Sequence, residues 1–120
     1  MAKILVVDDA AFMRVMLKNI LKANGHEVIG EGENGMDALV KYEKLKPDIV
    51  TMDIVMPELN GIESTKEIIR NYPDAKVVMC TAIGQQAKVL EAMKAGAKGY
   101  IIKPFQAPKV IAELEKVLGS

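Results

Sequence analysis

Five short apolar runs alternate with five segments of helical period along this chain, and little sequence is left between them. Ile4–Val7, His26–Gly30, Asp48–Asp53, Val77–Cys80 and Tyr100–Ile102 read as strands. Ala11–Ala23, Met36–Leu45, Gly61 to about Tyr72, Gln85–Ala95 and Pro108–Leu118 read as helices, punctuated by Asn24-Gly25, Pro47, Pro73 and Gly96. A helix between every pair of strands is the connection that parallel strands require. The expectation is therefore an α/β fold, a parallel sheet covered by helices on both faces. Four of the strands are almost unbroken apolar runs, as strands buried on both faces should be. The second, "HEVIGEG", is polar and glycine-containing and belongs at an edge, which the doubly wound order 2-1-3-4-5 satisfies. The length of 120 residues fits one core, so residues 1–120 are expected to form a single domain.

In open sheets of this kind ligands bind beyond the carboxyl ends of the strands. Those ends carry Asp8 and Asp9, then Asp53, Thr81 and Lys103. The second strand leads into Gly30-x-Gly32-x-x-Gly35, which has the spacing of a dinucleotide fingerprint. A pyrophosphate needs free amides at a helix N-terminus and little negative charge nearby. Here Glu31 and Glu33 lie inside the motif, and the edge strand is away from the crevice between strands one and three. The glycines are better read as easing a strand into a helix capped by Asn34.

Asp8, Asp9 and Asp53 would converge at that crevice. Clustered carboxylates repel unless a proton or a cation joins them. Helix capping by Asp9 would explain only one of them. An all-oxygen set with no histidine or thiolate suits a hard cation, and Mg2+ keeps waters or a phosphate among its ligands. Asp53 is then placed to attack a phosphoryl group, Lys103 to pair with its oxygens and Thr81 to donate a hydroxyl hydrogen bond.

The strings "VVDD" (6–9), "MDIVMP" (52–57), "NG" (60–61), "TA" (81–82) and "KP" (103–104), in this order and spacing, resemble a response-regulator receiver domain over nearly the whole chain. "DDAAFMR" and the lack of any attached output domain resemble the single-domain chemotaxis regulators of that family. The resemblance implies a flavodoxin-like (βα)5 fold. It implies that Asp53 is the phosphoacceptor, and that Asp8, Asp9 and the Val55 main-chain carbonyl join Asp53 in holding Mg2+. It implies that Lys103 contacts the phosphoryl group, that Thr81 and Tyr100 form a switch, and that the Lys103-Pro104 bond is cis. It implies a surface of helix four, strand five and helix five that changes on phosphorylation, with Val89, Met93, Tyr100 and Lys109 as candidates. The implied partners are a histidine kinase of the CheA type, an output protein such as a flagellar motor switch protein, and a phosphatase. Val55 and Ile83 are apolar at positions that in the family govern access of water, so slow self-dephosphorylation is expected.

The remaining features exclude more than they add. Sixteen basic and sixteen acidic residues leave no cationic footprint for nucleic acid. No apolar run approaches a membrane span, and the first residues are no signal peptide. One cysteine, Cys80, rules out an internal disulfide and suits the cytoplasm, and one histidine, His26, rules out a multi-histidine site. A monomer is expected, with most of the eight methionines as core filler. A Mg2+ phosphohydrolase of the haloacid-dehalogenase type would carry an acid where Val55 stands. A flavodoxin would need a hydroxyl- and glycine-rich loop where the chain has Asp8-Asp9-Ala10-Ala11. A relay or phosphate-sink receiver outside chemotaxis is the closer alternative.

Overall fold

Each of the five apolar runs is a strand in the structure, a computed structural model that describes residues 1–119. Strands β1 (Lys3–Val7), β2 (Glu27–Gly32), β3 (Ile49–Asp53), β4 (Val77–Ala82) and β5 (Gly99–Lys103) alternate with five helices. These are α1 (Ala11–Ala23), α2 (Gly35–Leu45), α3 (Gly61–Asn71), α4 (Gln86–Lys94) and α5 (Ala107–Leu118). All pairings are parallel and the order is β2-β1-β3-β4-β5, as expected.

The inner strands β1, β3 and β4 are largely apolar because both of their faces are covered. Along β1, Leu5 and Val7 point into one cluster, with Tyr42 from α2, Ile62 and Ile68 from α3 and Ala92 from α4. Ile4 and Val6 point into the other, with Leu17 and Leu21 from α1 and Val110, Leu114 and Val117 from α5. Burying one such side chain contributes about 1.5–3 kcal/mol, so truncating Leu114 or Ile68 to alanine is a sufficient way to damage either layer. Met52, Met56 and Met79 are fully part of the core, and Met13 and Met16 lean on it, whereas Met36 and Met93 stand outside. The apolar spacing of α1 is broader than its buried stripe. Phe12 and Val15 face outward, 72% and 49% exposed.

Caps fix two of the helix starts. The Asn34 side chain accepts the Asp37 amide at 2.8 Å, and the Asn60 side chain accepts the Glu63 amide at 2.9 Å. Each such cap contributes about 1 kcal/mol. Helix α1 starts differently. Its N-cap is Ala10, with no side-chain cap, so Asp9 does not cap it. The Ala10 amide instead donates to the Asp8 carboxylate at 2.9 Å.

The second strand extends two residues past its expected end. Its pairing with β1 continues to Val7↔Gly32 because a bulge at Ile4/Leu5 takes up one residue. Gly30, Glu31 and Gly32 therefore lie in the strand rather than in a loop. Gly35 has a different task. A Cβ there would lie 2.2 Å from the Leu59 carbonyl oxygen, which accepts the Gly35 amide at 2.9 Å. The glycine motif thus serves a close approach of two backbones, the start of α2 and the loop before α3.

Candidate functional site

The strand order reverses between β1 and β3, so their carboxyl ends lie side by side while α1 and α3 leave to opposite faces. The crevice so formed holds the acids. Asp8 follows β1 directly, and Asp53 is the last residue of β3. Asp8, Asp9 and Asp53 each place a carboxylate oxygen within 4.8 Å of the others. Asp8 and Asp53 are buried and Asp9 is exposed. The Lys103 ammonium, from the end of β5, reaches across to Asp8 Oδ2 at 2.8 Å and Asp53 Oδ1 at 3.3 Å.

The electrostatics follow from this crowding. Burial, the Asp8 charge and, to a lesser extent, the Asp9 charge push the Asp53 carboxyl up to about 6, against the opposing pull of Lys103. Burial alone would lower the Lys103 pKa, but its hydrogen bond to Asp8 and the fields of Asp53 and Asp8 hold it above the ordinary lysine value. At an effective dielectric near 20, two unit charges 5 Å apart interact by about 3 kcal/mol. One ammonium among three carboxylates therefore leaves a substantial unbalanced repulsion, formally two negative charges. A divalent cation matches that residue of charge, and the oxygen-only donor set suits Mg2+.

Backbone packing sets the pocket floor. The Gly61 amide donates to the Ile54 carbonyl at 2.9 Å, and a Cβ on Gly61 would lie 2.0 Å from the Asp53 carbonyl oxygen. Helix α3 can begin against the end of β3 only because residue 61 has no side chain. Val55 lies in the loop just beyond, 62% exposed, and Ile83 holds the same offset from Thr81, 77% exposed. Exposed apolar side chains thus stand two residues beyond both Asp53 and Thr81.

Thr81 is at the end of β4 as expected, but its hydroxyl makes no hydrogen bond to the acids. It donates toward the Ala82 carbonyl at 3.3 Å and the Gln85 side-chain carbonyl at 3.2 Å. Tyr100 is turned outward and 43% exposed. Between them lies a cavity of about 350 Å3 lined by Thr81, Gln85, Val89, Leu90, Met93 and Tyr100. Lys109 is not in this cavity. It lines a neighbouring groove along β5 and α5 with Tyr100, Ile102 and Glu113. The Lys103-Pro104 bond is cis. Cys80 is buried, and burial pushes its thiol pKa far up, so it behaves as an apolar filler.

Two participants were not found by reading the sequence. Gln85, the partner of Thr81, has no motif to mark it. Arg14, whose guanidinium meets the Asp8 carbonyl, closes the string "DDAAFMR", but no role attached to it there.

Residues 4–115 match the family described as "Response regulator receiver domain". A "Chemotaxis protein CheY" of Thermotoga maritima is 59% identical over 115 residues, covering 96% of both chains. Its namesake in Bacillus subtilis is 53% identical over 116 residues, covering 97% of both. Among solved structures, the response regulator domain of Thermotoga maritima CheB superposes with a TM-score of 0.91 at 36% identity, over 98% of this chain and 96% of that one. The CheX-CheY-BeF3-Mg+2 complex from Borrelia burgdorferi gives 0.91 at 33% identity, over 96% of this chain and 87% of that one.

Proposed function

The chain belongs to the response-regulator receiver family, is homologous to CheY and takes part in phosphorylation-controlled signalling; from that premise we propose that Asp53 is its phosphoacceptor. The observation that carries this reading is the pair of contacts from one Lys103 ammonium to Asp8 and Asp53 inside a cluster of three carboxylates. In this reading Asp8, Asp9, Asp53 and the Val55 carbonyl hold Mg2+. When bound, the ion supplies positive charge that offsets the charge gathering on the phosphoryl oxygens.

The chain's own residues do the rest. Asp53 Oδ1 is held by Lys103, which leaves Oδ2 as the nucleophile. A P–O bond forms to Oδ2 as the P–N bond of a phosphohistidine breaks. The imidazole leaves with the bonding electrons and takes up a proton. Lys103 pairs with the transferred oxygens as a point charge. The chain is a signalling protein of a kind that does not turn over a substrate, and the transfer to Asp53 and its later hydrolysis are self-catalysed.

Phosphorylation exchanges one negative charge for roughly 1.5 to 2 and adds three acceptor oxygens. Thr81 then exchanges Gln85 for the phosphoryl group, and Tyr100 turns into the cavity that lies between it and Thr81. The face of α4, β5 and α5 changes shape and binds the output protein. The kinase is of the CheA type and the output partner a flagellar motor switch protein, in a monomeric cytoplasmic regulator. A phosphatase is the expected means of shutting it off. The Mg2+ reading is supported by a relative's structure, described as a CheX-CheY-BeF3-Mg+2 complex. Among the described residues no helix is long and apolar enough to cross a membrane.

The test is intact-mass measurement after incubation with Mg2+ and acetyl phosphate. One phosphoryl group is expected on the parent chain, none on Asp53→Asn and none after chelation. A phosphoryl group retained by Asp53→Asn would overturn the assignment.

A further inference from the structure

Every polar group of Asp8 is held. Its amide donates to the Gly32 carbonyl at 3.0 Å, and its carboxylate oxygens accept from the Ala10 amide at 2.9 Å and from Lys103 at 2.8 Å. Its carbonyl oxygen accepts from Arg14 Nη1 at 2.7 Å. The same guanidinium donates through Nε to Glu31 Oε1 at 3.0 Å, and Lys18 holds the other Glu31 oxygen at 2.7 Å. Lys41 donates to the Glu31 carbonyl. The Arg14 side chain is only 13% exposed. Glu31 is thus a fixed anchor on β2, and Arg14 is braced between it and the Asp8 carbonyl.

The Asp8 carbonyl belongs to the same rigid plane as the Asp9 amide. A donor that fixes that oxygen therefore fixes the direction in which the chain enters Asp9. Asp9 is the exposed member of the acidic cluster, whereas Asp53 is held in the β3–β4 ladder and Asp8 by its amide bond to the Gly32 carbonyl. Arg14 also stands in the first turn of α1, where a cation is disfavoured by the helix dipole and no acidic residue of that turn offsets it. Its placement there needs a reason beyond helix stability.

We propose that Arg14 is a positioning residue for divalent-cation binding, its guanidinium locking the Asp8–Asp9 peptide so that the Asp9 carboxylate is held over the pocket. This rests on the reading that Asp8, Asp9 and Asp53 bind Mg2+. Long-range electrostatics give the opposite sign, which makes the idea testable. Removing a cation near a cation site should tighten binding by charge alone. Losing affinity on removing Arg14 can come only from lost orientation.

The experiment is calorimetric titration of the full chain with Mg2+ alone, beside thermal unfolding in chelator. Arg14→Met keeps the apolar stem and removes the donors. It is expected to bind Mg2+ about tenfold more weakly, the size of effect seen when an outer partner of a metal ligand is removed. Lys18→Met removes the same charge from the same Glu31 but leaves the Asp8 carbonyl held, and should bind within about twofold of the parent. Should Arg14→Met fail to fold, Arg14→Lys carries the test, since it keeps the charge but cannot brace against both Glu31 and the Asp8 carbonyl; a several-fold loss is expected, and parent-like binding overturns the proposal. Parent-like or tighter binding by Arg14→Met, or an equal loss in Lys18→Met, overturns the proposal. Asp9→Asn separates the two layers of the argument. If it binds Mg2+ as the parent does, the metal reading itself fails, whatever Arg14 does.

Discussion

The hydroxyl of Thr81 lies 3.2 Å from the side-chain carbonyl of Gln85, four residues on at the boundary of α4. A residue at the rim of the acidic pocket is thus tied to the N-cap of the helix whose Val89, Leu90 and Met93 line the cavity beside Tyr100. The phosphoryl group and Gln85 would compete for one hydroxyl.

That competition can be read optically. The chain has no tryptophan, so Tyr100→Trp introduces a single reporter. Phosphorylation should shift its emission as the ring leaves solvent. In that background Thr81→Ala should still take up one phosphoryl group by intact mass while losing most of the shift. An undiminished shift would refute the coupling.

The raised Asp53 pKa makes stability depend on pH in a definite direction. An acid whose folded pKa, about 6, exceeds the ordinary 3.8 binds its proton more tightly in the folded state. Stability of the metal-free chain therefore falls as pH rises from about 4 to about 6, then stays lowered. Asp53→Asn removes this penalty. Allowing for screening at the pocket mouth, it should gain about 1–2 kcal/mol at pH 7.5, and little at pH 4. Paired thermal melts in chelator at the two pH values check it. A gain of the same size at both would mean that ionisation is not the cause.

Lys103→Met strands two buried carboxylates without their ammonium. Breaking such a pair costs about 3–5 kcal/mol where both partners are buried, and a proton can take the place of the lost cation. The Asp53 titration midpoint should move above 6, read by carboxyl carbon resonances, with stability partly recovered on acidification. Phosphoryl uptake should fall steeply. A midpoint that stays put or falls would deny Lys103 its electrostatic role.

Val55 and Ile83 present no group that can orient an attacking water. The phosphorylated chain should accordingly lose its phosphoryl group slowly. Val55→Asn should shorten that lifetime several-fold, as followed by phosphate release. Parent turnover within seconds, indifferent to the substitution, would show that these positions do not govern water.

Gly61→Ala should be among the most damaging single-methyl changes available. The added carbon meets the Asp53 carbonyl oxygen at 2.0 Å, a backbone atom that cannot swing aside. A loss of about 2–4 kcal/mol is expected, beyond the ordinary 1–3 for overpacking. Gly84→Ala is the comparison. Nothing lies within 4 Å of its Cβ, and its positive φ of 92° is the only obstacle, so about 1 kcal/mol is expected. Equal losses in denaturant melts would mean that the contact at 61 relaxes.

Where a property depends on local pattern, the sequence was readable. Ile4–Val7 and Val77–Cys80 could only be strands covered on both sides, and the polar second strand could only be an edge. The three acids and Lys103 were legible because each stands at a strand end or within two residues of one, and strand ends converge by topology. The end of β2 was not, because Gly30 and Gly32 signal a turn in isolation and are overruled by the pairing of Val7 with Gly32. Nor was the outward face of Phe12 and Val15, since helical spacing does not say how wide the buried stripe is. Arg14 and Gln85 escaped because their meaning lies in which backbone or hydroxyl they reach, and that is set by neighbours distant in the chain or by a turn's exact path.

The acids stand at the ends of β1 and β3, two of the three inner strands, while Tyr100 and the grooves beside it lie along the outer strand β5. In the proposed reading the acids lie in the interior of the sheet and recognition lies at its margin, with β5 serving both through Lys103 at its end and Tyr100 along its length. Descendants of such a chain can acquire new listeners by altering an outer margin, and leave untouched the interior on which the chemical event depends.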